Sequence, residues 1–162
     1  MMNNSKIEKI LSKKLGKQFK GVYSYDQWRS LKIESKPASY VFNTQPSHVE
    51  FGHWIGIYIQ KNGTAIFFDS FGRSPENLGF LNFLEKHAKS WQYNNVPVQN
   101  PFTAVCGQHV ICFLLKVHFS SVTDWLKLFS SSLLTNDNIV YNLINRKYNV
   151  QASLFPDVHV FI

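Results

Sequence analysis

At 162 residues and 18.8 kDa, the chain has room for one domain core and not for two. With 44% hydrophobic and 17% charged residues it is globular rather than disordered in composition, and no apolar run approaches the roughly 20 residues of a membrane helix. The net charge of +7 is lopsided: residues 1–36 carry nine Lys/Arg against three acidic residues, a balance that suits either a polyanion such as nucleic acid or a solvated basic helix. The stretch from Met1 to Lys20 is polar and basic with no apolar segment, so a secretory signal is not expected there. Cys106 and Cys112 do not make a disulfide framework, and no Cys/His cluster has zinc-ligand spacing. A reducing compartment and a thiol role for cysteine follow.

In chain order, Asn4-Ser5 can cap a first helix from Lys6 to Leu15, ended by Gly16, with Ile7, Ile10, Leu11 and Leu15 at spacings of three and four. Its other face is lysine. Gly21 to Trp28 reads as turn-like and aromatic, and Ser39 to Asn43 as a short strand. His48 to Gln60 reads as a longer strand. Lys61-Asn62-Gly63 supplies a hairpin turn, and Thr64 to Asp69 returns antiparallel. After a loop, Glu76 to Trp91 is an amphipathic helix with Leu78, Leu81, Phe83, Leu84 and Ala88 inward, and Gln92 to Gln99 is a strand. Ala104 to Ser120 is apolar nearly all round and is expected to be the buried central helix. Helices over Thr123 to Leu133 and Asp137 to Tyr148 follow, then an irregular tail from Val150 to Ile162. The order is α+β: a small, mainly antiparallel sheet packed on a buried helix, with flanking helices.

Four polar residues stand where chemistry could be done. Cys106 opens the buried helix, whose unpaired N–H groups and positive end favour thiolate, the nucleophilic form. Gly107 removes a side chain beside the sulfur and leaves room for a substrate. His53 stands mid-strand beside Trp54, and Asp69 ends the paired strand 16 residues later. The pairing can bring carboxylate and imidazole together, which fixes the tautomer and stabilises the charged ring. Gln99, seven residues before Cys106, carries an amide that could donate to a developing oxyanion. Each residue alone has a plainer reading, such as a small buried hydrophobe for Cys106 or a loop-capping carboxylate for Asp69. His109 reads as a core or supporting residue, and His87, His118 and His159 show no partner pattern. His48 is expected at the surface.

Taken jointly, His53-Trp54, Asp69-Ser70-Phe71-Gly72 and Gln99-x6-Cys106-Gly107 resemble the adenovirus protease (adenain) family of cysteine endopeptidases. More distantly they resemble the SUMO-like modifier proteases that share its papain-like core. Gly21 to Asp26 and Val41 to Thr44 add weaker echoes, so the resemblance runs from about residue 20 to residue 118. It implies a single cysteine protease domain over residues 1–162, with residues 1–20 as a basic helix packed on or flanking it. It implies that Cys106 attacks the scissile carbonyl, that His53 is the general base and then the acid, and that Asp69 orients His53. Gln99 and the Cys106 N–H would form the oxyanion hole. Trp54 and Gly107 would contact substrate, Trp54 walling a channel that favours glycine next to the cut. Asp26 would shape the oxyanion loop.

The third member here is Asp69 where the best-known adenovirus enzymes carry Glu, and either carboxylate can orient a histidine. The family's disulfide-linked activating peptide uses a cysteine between the acid and the Gln. Residues 70–98 hold none, so no such link is expected. No cofactor is needed for the chemistry, while DNA, through the basic surface, and a non-covalent peptide stand as candidate activators. The implied protein is a monomer that cleaves viral precursor proteins at Gly-Gly or Gly-x sites in virion maturation. It would work in the virion and host cell interior, in nucleus or cytoplasm, away from membranes. An isopeptidase acting on ubiquitin-like or SUMO-like modifiers, and a non-enzymatic basic nucleic-acid-binding virion protein, are the alternatives.

Overall fold

A computed structural model describes residues 2–156. His159 and the last part of the Val150 to Ile162 tail lie outside the described residues; residues 150–156 are irregular, as expected. The elements are α1 (Asn4–Leu15), β1 (Phe19–Ser24), β2 (Ala38–Asn43), β3 (Trp54–Ile59), β4 (Thr64–Asp69), α2 (Leu81–His87), β5 (Ser90–Tyr93), α3 (Cys106–Val117), α4 (Val122–Leu126) and α5 (Leu133–Tyr148). The strands form one sheet in chain order. Its centre, β2-β3-β4, is antiparallel, as the hairpin pattern requires, but both edge strands pair parallel to their neighbours. The sheet is therefore more mixed than expected.

Strand alternation sorts the core into two layers. On one face Tyr40, Phe42, Ile55, Ile57, Ile59, Ala65 and Phe67 pack on Trp28 and on Phe80, Phe83 and Leu84, at and just before α2. On the other, Val41, Tyr58, Ile66 and Phe68 pack on α3 and α1. Each fully buried large apolar side chain contributes about 1.5–3 kcal/mol, so two such layers suffice without disulfides. Helix α3 comes down close to β3 at Gly56, where an added Cβ would stand 3.1 Å from the Phe113 ring. Ten residues of α3 are buried, eight of them apolar or small beside Gln108 and His109, which makes it the central helix expected from its largely apolar pattern.

Helix α1 buries Ile7, Ile10, Leu11 and Leu15, the four expected positions, but its cap is Asn3, whose side chain accepts from the Lys6 N–H. Elsewhere the boundaries move. The stretch read as a turn from Gly21 to Trp28 is strand β1 followed by a 3-10 turn over Tyr25–Ser30. The strand expected from His48 begins only at Trp54, so His53 stands just ahead of β3 rather than within it. The helix expected from Glu76 starts at Leu81. Residues 74–80 form separate turns that close at Gly79 with φ +78°, a left-handed conformation no helix can pass through. Strand β5 is over by Tyr93, where Asn94 turns its amide onto Asp69, so Gln99 sits in a loop and not at a strand end. Helix α4 is one turn long, and α5 begins four residues early, capped by Ser132.

Candidate active site

Register places the first two groups. Ile55 pairs with Asp69 across β3 and β4, and His53 lies two residues ahead of Ile55. The imidazole meets the carboxylate there, His53 Nε2 to Asp69 Oδ1 at 2.5 Å. Its other face lies on the Phe71 ring, 4.8 Å between centroids and 28° from parallel. The remaining ring nitrogen, Nδ1, is left for Cys106, the first residue of α3, whose thiol is close enough to couple to the ring. Positions 53, 69 and 106 thus lie together.

Asp69 is fully buried and ringed by donors. Besides His53, Oδ1 accepts from the Phe71 N–H at 3.2 Å, while Oδ2 accepts from the Arg73 N–H at 3.0 Å and Arg73 Nε at 2.8 Å. Asn94 clamps its backbone, accepting from the Asp69 N–H at 3.0 Å and donating to its carbonyl at 2.6 Å. Arg73 and Asn94 are site residues that the sequence reading missed. Arg73 lay in a loop whose i,i+4 spacing to Asp69 is a weak signal; Asn94 carried none.

Electrostatics follow from these contacts. Burial acts against a charged Asp69, but the His53 and Arg73 hydrogen bonds outweigh it and hold the carboxyl down at about 2. Burial likewise acts against a charged His53, yet hydrogen bonds to Asp69 and Cys106 and their charges raise it to about 9. Burial would raise the Cys106 thiol, but the His53 hydrogen bond and charge bring it below its ordinary value. The arrangement favours a thiolate–imidazolium pair. Cys112, on the same helix with no such partner, is pushed by burial up to about 12.

The pH dependence follows in sign. His53 is raised from 6.5 to about 9, so the stability it contributes is fully present below pH 6.5 and lost as pH climbs through 9. Asp69 is lowered from 3.8 to about 2, so its contribution is present above pH 3.8 and lost as pH falls through 2. Alkylation of Cys106 by iodoacetamide, read by mass spectrometry from pH 4 to 10, is expected to persist well below the ordinary thiol range; a single rise near the ordinary thiol value would contradict the ion pair.

The remaining expected residues are placed as follows. Gln99 is buried, its Oε1 accepting from Ser70 Oγ at 2.6 Å and its Nε2 donating to the Thr103 carbonyl at 3.0 Å. A second, longer contact runs from Nε2 to Thr103 Oγ1 at 3.3 Å. Trp54 is buried and its indole N–H donates to the Met2 carbonyl at 3.2 Å. Gly107 does not face open space: an added Cβ would lie 2.6 Å from Met2 Cβ and 3.4 Å from Trp54 Cδ1. Met2, which the sequence reading did not single out, covers this side of the nucleophile. Asp26 is on the surface and accepts from Ser47 N–H and Oγ in the segment leading to His53. His48 is exposed, and His118 meets Ser39 Oγ at 2.5 Å.

No family model matches the chain, and no curated protein matches it in sequence. Solved structures match it in fold. The pS273R protease of ASFV aligns with a TM-score of 0.59 at 15% identity, over 94% of this chain and 69% of that one. The central domain of the uncharacterized Lpg1148 protein of Legionella pneumophila aligns at 0.52 and 14% identity, over 92% and 97%. ChlaDub1 of Chlamydia trachomatis aligns at 0.51 and 14%, over 73% and 63%. The chain shares the mixed α+β fold of these solved structures.

Proposed function

We propose that the protein is a viral-type cysteine endopeptidase that cleaves structural precursor proteins at small-residue sites, Gly-Gly or Gly-x, during virion maturation. The observation that carries the reading is the run of contacts from Asp69 through His53 to Cys106 at the start of a buried helix. The Cys106 thiolate attacks the scissile carbonyl, forming a C–S bond and an oxyanion. His53 gives its Nδ1 proton to the leaving amine as the C–N bond breaks. It then takes a proton from the water that hydrolyses the thioester, which returns the thiol. Asp69 keeps Nε2–H as the other end of the ring throughout. Trp54 and Gly107 would flank the residues before the cut. Met2 packed on both narrows that side, which suits residues without side chains.

Gln99, with the Cys106 N–H, would hold the oxyanion. Its stronger bond to the Thr103 carbonyl fixes one Nε2 hydrogen, and the longer contact to Thr103 Oγ1 leaves the other available to turn toward a forming negative charge. Gln99→Ala is expected to lower kcat by about 10²–10³ with KM changed little; an unaltered kcat would remove it from that role.

DNA is proposed as an activator on the lysine face of α1. Lys6, Lys9 and Lys13 meet Lys147 of α5 around a groove of about 450 Å³. A non-covalent activating peptide, a monomeric state, and action in the virion and host cell interior complete the proposal. The SUMO-protease-like fold favours one second reading, an isopeptidase removing ubiquitin-like modifiers with the same four residues. A fluorogenic peptide ending in Leu-Arg-Gly-Gly, with and without DNA, beside a Gly-Gly-linked modifier, tests both. Preferred cleavage of the modifier selects the isopeptidase. Tight DNA binding with an inert Cys106 selects a non-enzymatic virion protein.

A further inference from the structure

We infer that Thr103 and Asp137, with His109 as the anchor of Asp137, form a positioning device that holds the Gln99 amide in register with Cys106. The inference rests on the thiol-peptidase reading and extends it to residues outside the four that do the chemistry.

Gln99 and Cys106 belong to different pieces of structure, a loop and a helix. Something must fix one against the other to within a fraction of an ångström if an amide is to meet an oxyanion formed at the sulfur. Asp137, wholly buried on α5, touches both pieces. Its Oδ1 meets His109 Nε2 at 2.8 Å, one turn after Cys106 on α3. Its Oδ2 accepts from Thr103 Oγ1 at 2.7 Å and from the Asn100 N–H at 3.0 Å, both in the Gln99 loop.

Thr103 relays that anchor to the amide. Its carbonyl accepts from Gln99 Nε2 at 3.0 Å, and a carbonyl can only accept, so the Nε2 end of the amide must face it. Its hydroxyl has one hydrogen. Given to the Asp137 carboxylate, the stronger acceptor, it leaves an oxygen lone pair turned to Nε2 at 3.3 Å. Ser70 holds the opposite end: its Oγ donates to Gln99 Oε1, and its carbonyl accepts from the Val98 and Gln99 N–H groups. Asn136, next to Asp137, adds a bond from Nδ2 to the Val98 carbonyl at 3.2 Å. The loop is thus gripped from Ser70, just past β4, on one side and from α5 on the other. His109 and Asp137 stand 28 residues apart in sequence and are both inaccessible to solvent. A buried, fully engaged carboxylate is costly to place unless its bonds specify something.

Two reactions of Cys106 separate this role from a general structural one. Acetylation by p-nitrophenyl acetate forms a C–S bond, expels nitrophenolate and passes through an oxyanion. Alkylation by iodoacetamide forms a C–S bond, expels iodide and does not. Thr103→Val and Asp137→Asn are expected to lower the acetylation-to-alkylation ratio about tenfold, less than the 10²–10³ for losing the donor outright. Thr103→Ser, which keeps the hydroxyl, is expected to recover the ratio to within about twofold. In a Gln99→Ala background, Thr103→Val is expected to change the ratio no further. An unchanged ratio, or equal falls in both rates, overturns the inference while leaving the peptidase reading in place. A wild-type Cys106 inert to both reagents overturns the peptidase reading and this inference with it.

Discussion

Asp69→Asn is expected to lower kcat/KM by about 10³–10⁴. The size of the loss comes from what surrounds the carboxylate. Both oxygens face donors only: His53 Nε2, the Phe71 N–H and, at 3.5 Å, Arg73 Nη2 on Oδ1, and the Arg73 N–H and Nε on Oδ2. An amide has one oxygen. If its NH₂ end faces His53, the ring must shift to the tautomer with the proton on Nδ1, and it can no longer accept from Cys106. If the NH₂ end faces Arg73, two further donors oppose it. The Oδ2 side presents two short donors that cannot give up their protons, whereas on the Oδ1 side His53 can move its proton and the fixed Phe71 N–H is longer at 3.2 Å, so the amide is driven toward His53 and the wrong tautomer. A buried donor left without an acceptor also costs about 1–3 kcal/mol, so Tm falls as well. The kinetic loss should therefore be measured well below the new Tm, with circular dichroism confirming the fold. Arg73→Ala in the Asp69→Asn background removes the Nε donor, leaving only the backbone N–H against that oxygen, and should recover part of the rate; no recovery would show that the Arg73 side chain does not set the orientation.

Cys106→Ala is expected to abolish turnover, a fall of at least about 10⁴ in kcat, and to leave the fold intact. The sulfur is nearly buried but makes its polar contacts at the site, not in the core. The substitution has a second readout. The Cys106 hydrogen bond and charge are among the causes that raise His53 to about 9. Without them the imidazole keeps Asp69 alone, and its titration, followed by NMR, should move down. Cys112→Ala is the matched control. It removes the other thiol, buried in α3 and pushed to about 12, and should leave cleavage unchanged. Loss of cleavage in Cys112→Ala with retention in Cys106→Ala would reverse the assignment.

The parts of this molecule that were legible in the sequence are those with a period or a local rule. The apolar spacing of α1 named its four buried residues, and Asn62-Gly63 named the hairpin that brings β3 beside β4. That hairpin is what places His53 near Asp69, so the pairing could be inferred before any contact was seen. Cys106 at the start of a helix with no polar face was legible for the same reason. Boundaries failed where a side chain or a glycine overrode the pattern. Gly79 delayed α2, and Asn94 ended β5 early by bonding Asp69 across 25 residues of chain.

The contacts that tune the site were not legible, because they join distant segments with no shared period. Asp137 reaches His109 and Thr103 from another helix, and Met2 reaches Gly107 from the other end of the chain. The absent side chain at Gly107 suggests space for a substrate. A missing side chain marks close approach and does not say what approaches, and here Met2 does.

The measurement that bears most directly on the central claim is acid-quenched intact-mass analysis during cleavage of the Leu-Arg-Gly-Gly peptide, for wild type beside Cys106→Ala. The account predicts release of the fluorophore with a peptidyl adduct mapped to Cys106 in the wild type, and neither in the variant. Cleavage by Cys106→Ala at the wild-type rate, or an adduct on Cys112, would contradict it.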